Sequence, residues 1–257
     1  MTTVQLWNAY YTIVVREILR FVRIWIQTIV PPVITTTLYF VIFGNLIGSQ
    51  ISHIEGFSYI EFIVPGLVMM SVITNSYANV VSSFYSSKFQ GNIAEMLVSP
   101  TPNWVILLGY VSGGVARGLA VGMAVTLISL LFSHLHIQHW GITLTIGILT
   151  SALFSLGGLI NAVYAQSFDD ITIVPTFVLT PLTYLGGVFY SITMLSPFWQ
   201  KLSFLNPVLY MVNGFRYGIL GIADMNIWIS YGVLLTFILL MSSFSLYLLN
   251  KGIGIRS

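Results

Sequence analysis

No aspartate, glutamate, lysine or arginine separates Arg23 from Glu55. A helix of that run, rising 1.5 Å per residue, is longer than the roughly 30 Å of hydrocarbon in a bilayer. The pattern recurs along the chain: charged residues make up 6% of its 257 positions, where a soluble domain carries about 25%. With 56% hydrophobic residues there is too little polar surface to wrap a core in water. The composition fits an all-α integral membrane protein.

Gaps between charges place six spans. The first runs from Ile24 to about Gly48, the second from Glu61 to Phe84, and the third from Trp104 to Phe132 with Arg117 inside it. The fourth spans Trp140 to Ala165, the fifth Ile171 to Tyr190 after the polar interval Gln166 to Asp170, and the sixth Ile227 to Leu249. Two excursions differ in kind. Residues 85–103 contain Asn92 to Val98, able to form a short helix that Pro100 stops. Residues 191–225 are too apolar for a solvated loop and too broken by Pro197, Pro207, Gly214 and Gly218 for a span. They read as two short re-entrant helices, near Pro197 to Leu205 and Val208 to Leu220, covered by protein or a vestibule. Six spans put both termini on one side. Arg16, Arg20, Arg23, Lys88, Lys251 and Arg256 gather there, with only Lys201 and Arg216 opposite, so that side is cytoplasmic.

The segment before the first span is amphipathic: Trp7, Tyr10, Tyr11, Val14, Ile18, Phe21 and Trp25 share one helical face, and Gln5, Arg16, Arg20, Arg23 and Gln27 the other. Such a helix lies in the interface and meets headgroups or a soluble partner, Glu17 adding polar specificity. Nothing before it reads as a cleavable signal.

Catalytic chemistry is sparse. Ionisable residues inside spans are costly and mark ion relays, yet Arg117 is the clear case here and reads as a snorkelling or carbonyl-paired side chain. No Gly-Lys-Ser or Gly-Lys-Thr phosphate loop, Gly-x-Ser-x-Gly elbow or His-Glu-x-x-His pair occurs. Cysteine is absent. His134, His136 and His139 sit in one short loop without a nearby carboxylate, which fits an interfacial loop better than a metal site. Asp169 and Asp170 read as a loop pair facing cytoplasmic arginines. An enzyme is poorly supported, and a net charge of +2 is too small to imply nucleic acid. What the spans offer is polar ladders. Ser71, Asn75, Asn79 and Ser83 recur every four residues, as do Thr172, Thr176 and Thr180, with Thr183 and Tyr184 next. They serve helix packing or line a substrate path. Gly109, Gly113, Gly114, Gly118 and Gly122 let backbones approach, and Pro31, Pro32, Pro175 and Pro181 should kink or unwind their spans.

The order of interfacial helix, six spans, Asn92-Ile-Ala-Glu-Met-Leu-Val-Ser-Pro100 and Leu205-Asn-Pro-Val-Leu-Tyr-Met-Val-Asn-Gly-Phe-Arg-Tyr-Gly218 resembles the ABC-2 type permeases. Val30-Pro-Pro-Val-Ile, Phe62-Ile-Val-Pro-Gly-Leu and the stretch Val174 to Tyr190 carry the resemblance across nearly the whole chain. It implies one permease domain over 1–257: interfacial helix 1–23, spans one to five over 24–190, re-entrant segment 191–225, and span six with a tail over 226–257. It further implies an exporter subunit of type V architecture in the bacterial inner membrane, acting as a homodimer among membrane lipids with two copies of a separate ABC ATPase. ATP and magnesium would belong to that ATPase, and this chain would bind no cofactor. The resemblance makes Asn92 to Val98 the coupling helix, with Glu95, Met96 and Leu97 foremost, and Lys88, Glu17, Arg20, Asp169 and Asp170 as further contacts. Ser71, Asn75, Asn79, Thr176, Thr180, Thr183 and Tyr184 would line the path for an amphipathic cargo such as a lipid, a lipid-linked glycan or a hydrophobic drug. The chain departs from the family in one place: an arginine common before the Gly-x-x-Glu segment is replaced by Lys88 followed by Gln90-Gly91. The rival reading is an ATP-independent secondary carrier or channel.

Overall fold

A computed structural model describes residues 1–44, 53–133 and 135–254. The expected end of the first span at Gly48, His134 and Arg256 lie outside the described residues, as does the side chain of Leu97. The chain is all-α apart from one short hairpin. Helix α1 (Thr3–Arg23) opens on a capping box in which Thr2 and Gln5 satisfy each other's backbone N–H. After a break at Ile24, α2 (Trp25–Ile42) continues through Pro31 and Pro32 as one helix, so the unwinding expected at that pair is not seen. The hairpin pairs β1 (His53–Ile54) with β2 (Phe57–Ser58), turning on Glu55 and Gly56 at φ 51° and 89°.

Ser58 then caps α3 (Tyr59–Phe89), with Glu61 reciprocating. This helix is five residues longer at its end than the charge pattern predicts, because the chain stays helical past the apolar run until Gly91 takes a left-handed φ of 80°. Gly91 starts α4 (Asn92–Val98), the predicted short helix, which ends before Pro100. Helices α5 (Asn103–Ser129) and α6 (Trp140–Tyr164) follow the third and fourth predicted spans closely.

The fifth span is where residues and expectation part. Residues 170–184 form α7 (Asp170–Val174), a π-helical turn (Pro175–Leu179) and α8 (Thr180–Tyr184), ending six residues short of Tyr190. Pro175 and Pro181 have no N–H to give, and the ladder widens so that the Thr180 hydroxyl caps the Pro175 carbonyl at 3.0 Å. Gly187, at φ 72°, turns the chain away. Fifteen residues of helix cover only about 22 Å. Five described helices are long and apolar enough to cross a membrane: α2, α3, α5, α6 and α11 (Ile227–Lys251). Before α11 come α9 (Pro197–Phe204) and α10 (Pro207–Leu220), each with proline in its first turn, at the positions expected for the two short helices.

Helix α3 is the centre. It is buried along most of its length between α5, α6 and α10. The glycines of α5 make this possible on two sides. Ile13 and Glu17 of α1 lie on Gly109 and Gly113, while Gly114 and Gly118 receive Val80, Ser76, Ser151 and Ser155 of α3 and α6. Across the bundle Gly158 of α6 lies directly on the backbone of α3, where an added Cβ would stand 2.6 Å from the Tyr77 carbonyl oxygen. By contrast, α2 and α11 keep most of their surface exposed.

Gly158→Leu is expected to cost roughly 1–3 kcal/mol by forcing α3 and α6 apart and to lower the unfolding midpoint of the purified protein by several degrees. Gly232→Leu, where an added Cβ meets no atom within 4 Å, should leave it in place. Equal midpoints for the two variants in a detergent melt would remove the close approach as a source of stability.

Candidate functional site

A polar seam runs along the face of α3 that meets α1. Glu17 is fully buried. Its Oε1 accepts a hydrogen bond of 2.6 Å from the Ser83 hydroxyl, and its carboxylate stands 3.5 Å from Arg16 and 3.6 Å from Arg20. Arg20 in turn donates to the backbone and side-chain oxygens of Asn79 at 2.7 and 2.8 Å and to Ser82 at 3.3 Å. Arg16 donates to Tyr110 of α5 at 2.7 Å, and Tyr10 is joined to Ser112 at 2.8 Å. Further along, Arg117 reaches Asn75 at 3.4 Å. So α1 does not rest on the bundle by its aromatic face alone. It presents Ile13, Glu17 and Phe21 inward, leaving Trp7 and Tyr11 exposed, as is Trp25 at the start of α2.

This geometry divides the ladder of α3. Asn79 and Ser83 are taken up by Arg20 and Glu17, whereas Ser71 and Asn75 line a groove of about 300 Å³ with Gln27, Thr28, Pro31, Thr35 and Tyr39 of α2. On the interrupted fifth segment Thr176, Thr180 and Tyr184 are exposed and Thr183 is buried, donating to the Thr180 carbonyl at 2.8 Å. Tyr184 reaches the rim of the groove through a 2.9 Å hydrogen bond to Tyr39 of α2. Tyr184 also stacks on Phe189.

At the end of the bundle carrying α4, Ile93 is buried, Met96 is packed against the core, and Glu95 and Val98 face outward. Lys88 is engaged internally. Its ammonium group donates to the carbonyls of Val163 and Ala165, both at 2.7 Å, closing the C-terminus of α6. Asp170 binds the loop before it. The Gln166 N–H, the Ser167 hydroxyl and the Ser167 N–H hold its carboxyl below the usual carboxylate range. Among the described residues neither Asp169 nor Asp170 pairs with an arginine. Tyr85, Phe89 and Phe168 form an aromatic patch beside this loop, with Phe89 and Phe168 largely exposed.

Residues 8–220 match the family model described as ABC-2 type transporter. The chain belongs to that family. It is similar to the inner membrane transport permease YadH of Escherichia coli (strain K12), with 60% identity over 251 residues covering 98% of each chain. More distant relatives are nodulation protein J of Rhizobium leguminosarum bv. viciae, 21% identical over 81% of each chain, and of Neorhizobium galegae, 22% identical over 81% of this chain and 80% of the relative.

The residue pattern gave no role to Arg216, Asp224 and Glu55, which form a cluster at the opposite end of the bundle. Arg216 is buried, with its guanidinium 4.0 Å from the Phe62 ring centroid, 3.4 Å from Asp224, and donating to the Gly187 carbonyl. The Ser191 hydroxyl bridges Asp224 and Glu55. One signal was present: Arg216 lies in the same segment, 205–218, that carries the family resemblance, with Asp224 eight residues on.

Removing Glu17 leaves the buried Ser83 hydroxyl without its acceptor and two partly exposed guanidiniums without their anion, at roughly 1–3 kcal/mol. Glu17→Leu is therefore expected to destabilise the protein on that scale, and Glu17→Gln, which keeps the Ser83 contact, by less. A double-mutant cycle with Arg20→Gln should return a coupling of at least about 1 kcal/mol in chemical denaturation. Additive losses would show that α1 docks by packing alone.

Proposed function

We propose that this chain is the membrane-spanning permease of an ABC transporter, exporting an amphipathic cargo as ATP is hydrolysed by a separate ATPase subunit. The observation that carries the reading is α4. It is a helix of about two turns that points Glu95 and Val98 outward, is fixed to the core by Ile93 and Met96, and is joined to the central helix α3 by the tight turn at Gly91. A push on α4 is passed to the bundle through those core contacts and that turn. The family and the 60% identity to an inner membrane transport permease support the same reading. In this account the protein works in the bacterial inner membrane as a homodimer with two ATPase copies that hold ATP and magnesium, and surrounding lipids cover the exposed apolar helices. Both termini are cytoplasmic, the segment 170–190 makes a sixth crossing with the partner protomer's help, and α9 and α10 dip into the outer leaflet.

Glu95 is the docking residue, with Leu97 following it and Met96 backing it from its place against the core; Asp169 and the exposed Phe89 and Phe168 widen the surface. Glu17, Arg20 and Lys88, fixed in internal contacts, act behind it by holding α1 and α6 to the moving helix. Ser71, Asn75, Thr176, Thr180 and Tyr184 flank the path, and the π turn absorbs the tilt of the fifth segment. The self-sufficient carrier is the competing account, and it predicts uphill flux from the chain alone.

Vesicles holding this chain and its ATPase should accumulate cargo only with ATP; equal accumulation by the chain alone abolishes the reading. Glu95→Arg is expected to cut cargo-stimulated ATP hydrolysis at least about tenfold, equivalent to about 1.4 kcal/mol of lost coupling, while the permease still purifies folded. Ser71→Leu with Asn75→Leu should slow transport about tenfold without reducing assembly with the ATPase. Unchanged flux in that variant assigns both side chains to packing.

A further inference from the structure

Between α1 and the α4-proximal end of α3 lies a cleft of about 500 Å³ lined by Arg16, Glu17, Arg20, Arg23, Ser86 and Gln90, among others, with Leu19 and Ile24 at its edge. Its charges do not balance. Three arginines face one carboxylate, and Arg117 adds a fourth cation close enough to Arg20 for their charges to interact. Asn79, which holds Arg20, lies ten residues from the end of α3, or about 15 Å along the axis. Arg20 therefore stands well inside the bundle rather than at its rim. The surplus faces an open cleft, with the Arg16 and Arg20 side chains 43% and 31% exposed, and an anion entering it meets a positive local field. The hydrogen bonding is incomplete too. Arg20 Nε is buried 3.6 Å from Glu17, beyond hydrogen-bond reach, and Arg117 Nε is buried with no hydrogen-bond partner among the described residues. Arg23 is exposed at the mouth and forms no ion pair or hydrogen bond among the described residues.

An apolar groove lies next to the cleft along the chain. One turn beyond Arg23 and Ile24, the α2–α3 groove begins at Gln27 and Thr28 and runs past Pro31, Leu67 and Met70. Cations and hydroxyls at one end and an apolar trough at the other match an anionic head on a hydrocarbon chain. Arginine forks suit a tetrahedral phosphate by paired, charge-assisted hydrogen bonds.

We propose that this cleft binds the phosphate headgroup of an anionic amphiphile, whose chain lies in the α2–α3 groove. The proposal rests on the transport reading only in naming the cargo's head; binding itself requires neither ATP nor the ATPase. Arg23 captures the phosphate at the mouth, Arg20 and Arg16 compensate it deeper in, and Ser86, Ser87 and Gln90 supply neutral donors.

The test uses the full chain, purified without its ATPase into phosphatidylcholine nanodiscs and titrated with fluorescent phosphatidylglycerol, with labelled phosphatidylcholine and inorganic phosphate as the other arms. Saturable binding of phosphatidylglycerol is expected, weakened at least about fivefold by Arg23→Gln and about tenfold by Arg20→Gln with Arg23→Gln, and unchanged by Lys201→Gln on the exposed helix α9. Because Arg23 has no partner among the described residues, its variant isolates headgroup contact from folding. Equal binding of the two lipids, equal losses in Lys201→Gln, or competition by inorganic phosphate at the affinity of the lipid each overturn the proposal. So does an Arg23→Gln protein that loses the ATPase but keeps the lipid, which assigns the cleft to a protein contact. Failed lipid binding alongside ATP-driven accumulation sinks the site and leaves the exporter; binding without ATP dependence does the reverse.

Discussion

Burying the carboxylate of Glu17 is the constraint on which the arrangement of the bundle depends. An ion of that size taken from water into protein costs several kcal/mol even after relaxation, and the structure offsets this with one short hydrogen bond from Ser83 and two flanking guanidiniums. Those partners come from α1 and α3, and the carboxylate's own stem lies on Gly113 of α5. Three helices distant in sequence must be in place together for the charge to be tolerated. The cluster is therefore a specification of register more than a source of net stability. Sliding α1 by one turn would leave Glu17 against apolar side chains and Arg20 without Asn79.

With α1 fixed, the molecule separates into a tightly bound body and two looser members. The body is α1, α3, α5 and α6 with α10, joined where glycine or serine stands in place of a larger residue, so that backbones nearly touch. In a lipid setting no hydrophobic effect draws helices together, and such close approach supplies the dispersion and hydrogen-bond contacts that do. The looser members are α2, with few of its residues buried, and the proline-broken segment 170–184, in which Leu179 and Thr183 are buried while Thr176, Phe177, Val178, Thr180 and Tyr184 stay exposed. The groove lies on this boundary. A path bounded by one rigid wall and one compliant wall can change width without unpacking the core.

The residue pattern revealed the boundaries of α4, α5, α6, α9, α10 and α11 because each is set by local chemistry: a proline at the first turn, a glycine or asparagine cap, a stretch without charge. It gave the wrong length for the helix of the fifth segment, since hydropathy measures how apolar a stretch is and not where its backbone turns: the helix passes Pro175 and Pro181 but stops at Tyr184, before Gly187 takes a left-handed φ. It also put Glu17 on an outward polar face. The 3.6-residue period of α1 holds, but its inward arc is chosen by the glycines of α5, roughly a hundred residues away, and no local signal carries that pairing. The polar ladder of α3 was visible as a stripe. That Asn79 and Ser83 belong to α1 while Ser71 and Asn75 belong to a groove followed only from the tertiary contacts.

The two ends of the bundle treat charge in opposite ways, and this asymmetry bears on how a path there could operate. At the end remote from α4, Arg216 is enclosed by Asp224, the Gly187 carbonyl and the Phe62 ring, with Ser191 tying Asp224 to Glu55. Opening that end means separating the Arg216–Asp224 pair, both of whose side chains are already desolvated. In the cleft between α1 and α3 near the α4 end, arginines outnumber acids and one of them, Arg23, is unengaged among the described residues. An anionic group entering there gains partners without displacing any. In the proposed cycle the first end thus acts as the barrier that ATP hydrolysis must break, and the second as the side from which cargo is loaded. The open, arginine-lined cleft and the enclosed Arg216 cluster thus lie at opposite ends of the same helix α3.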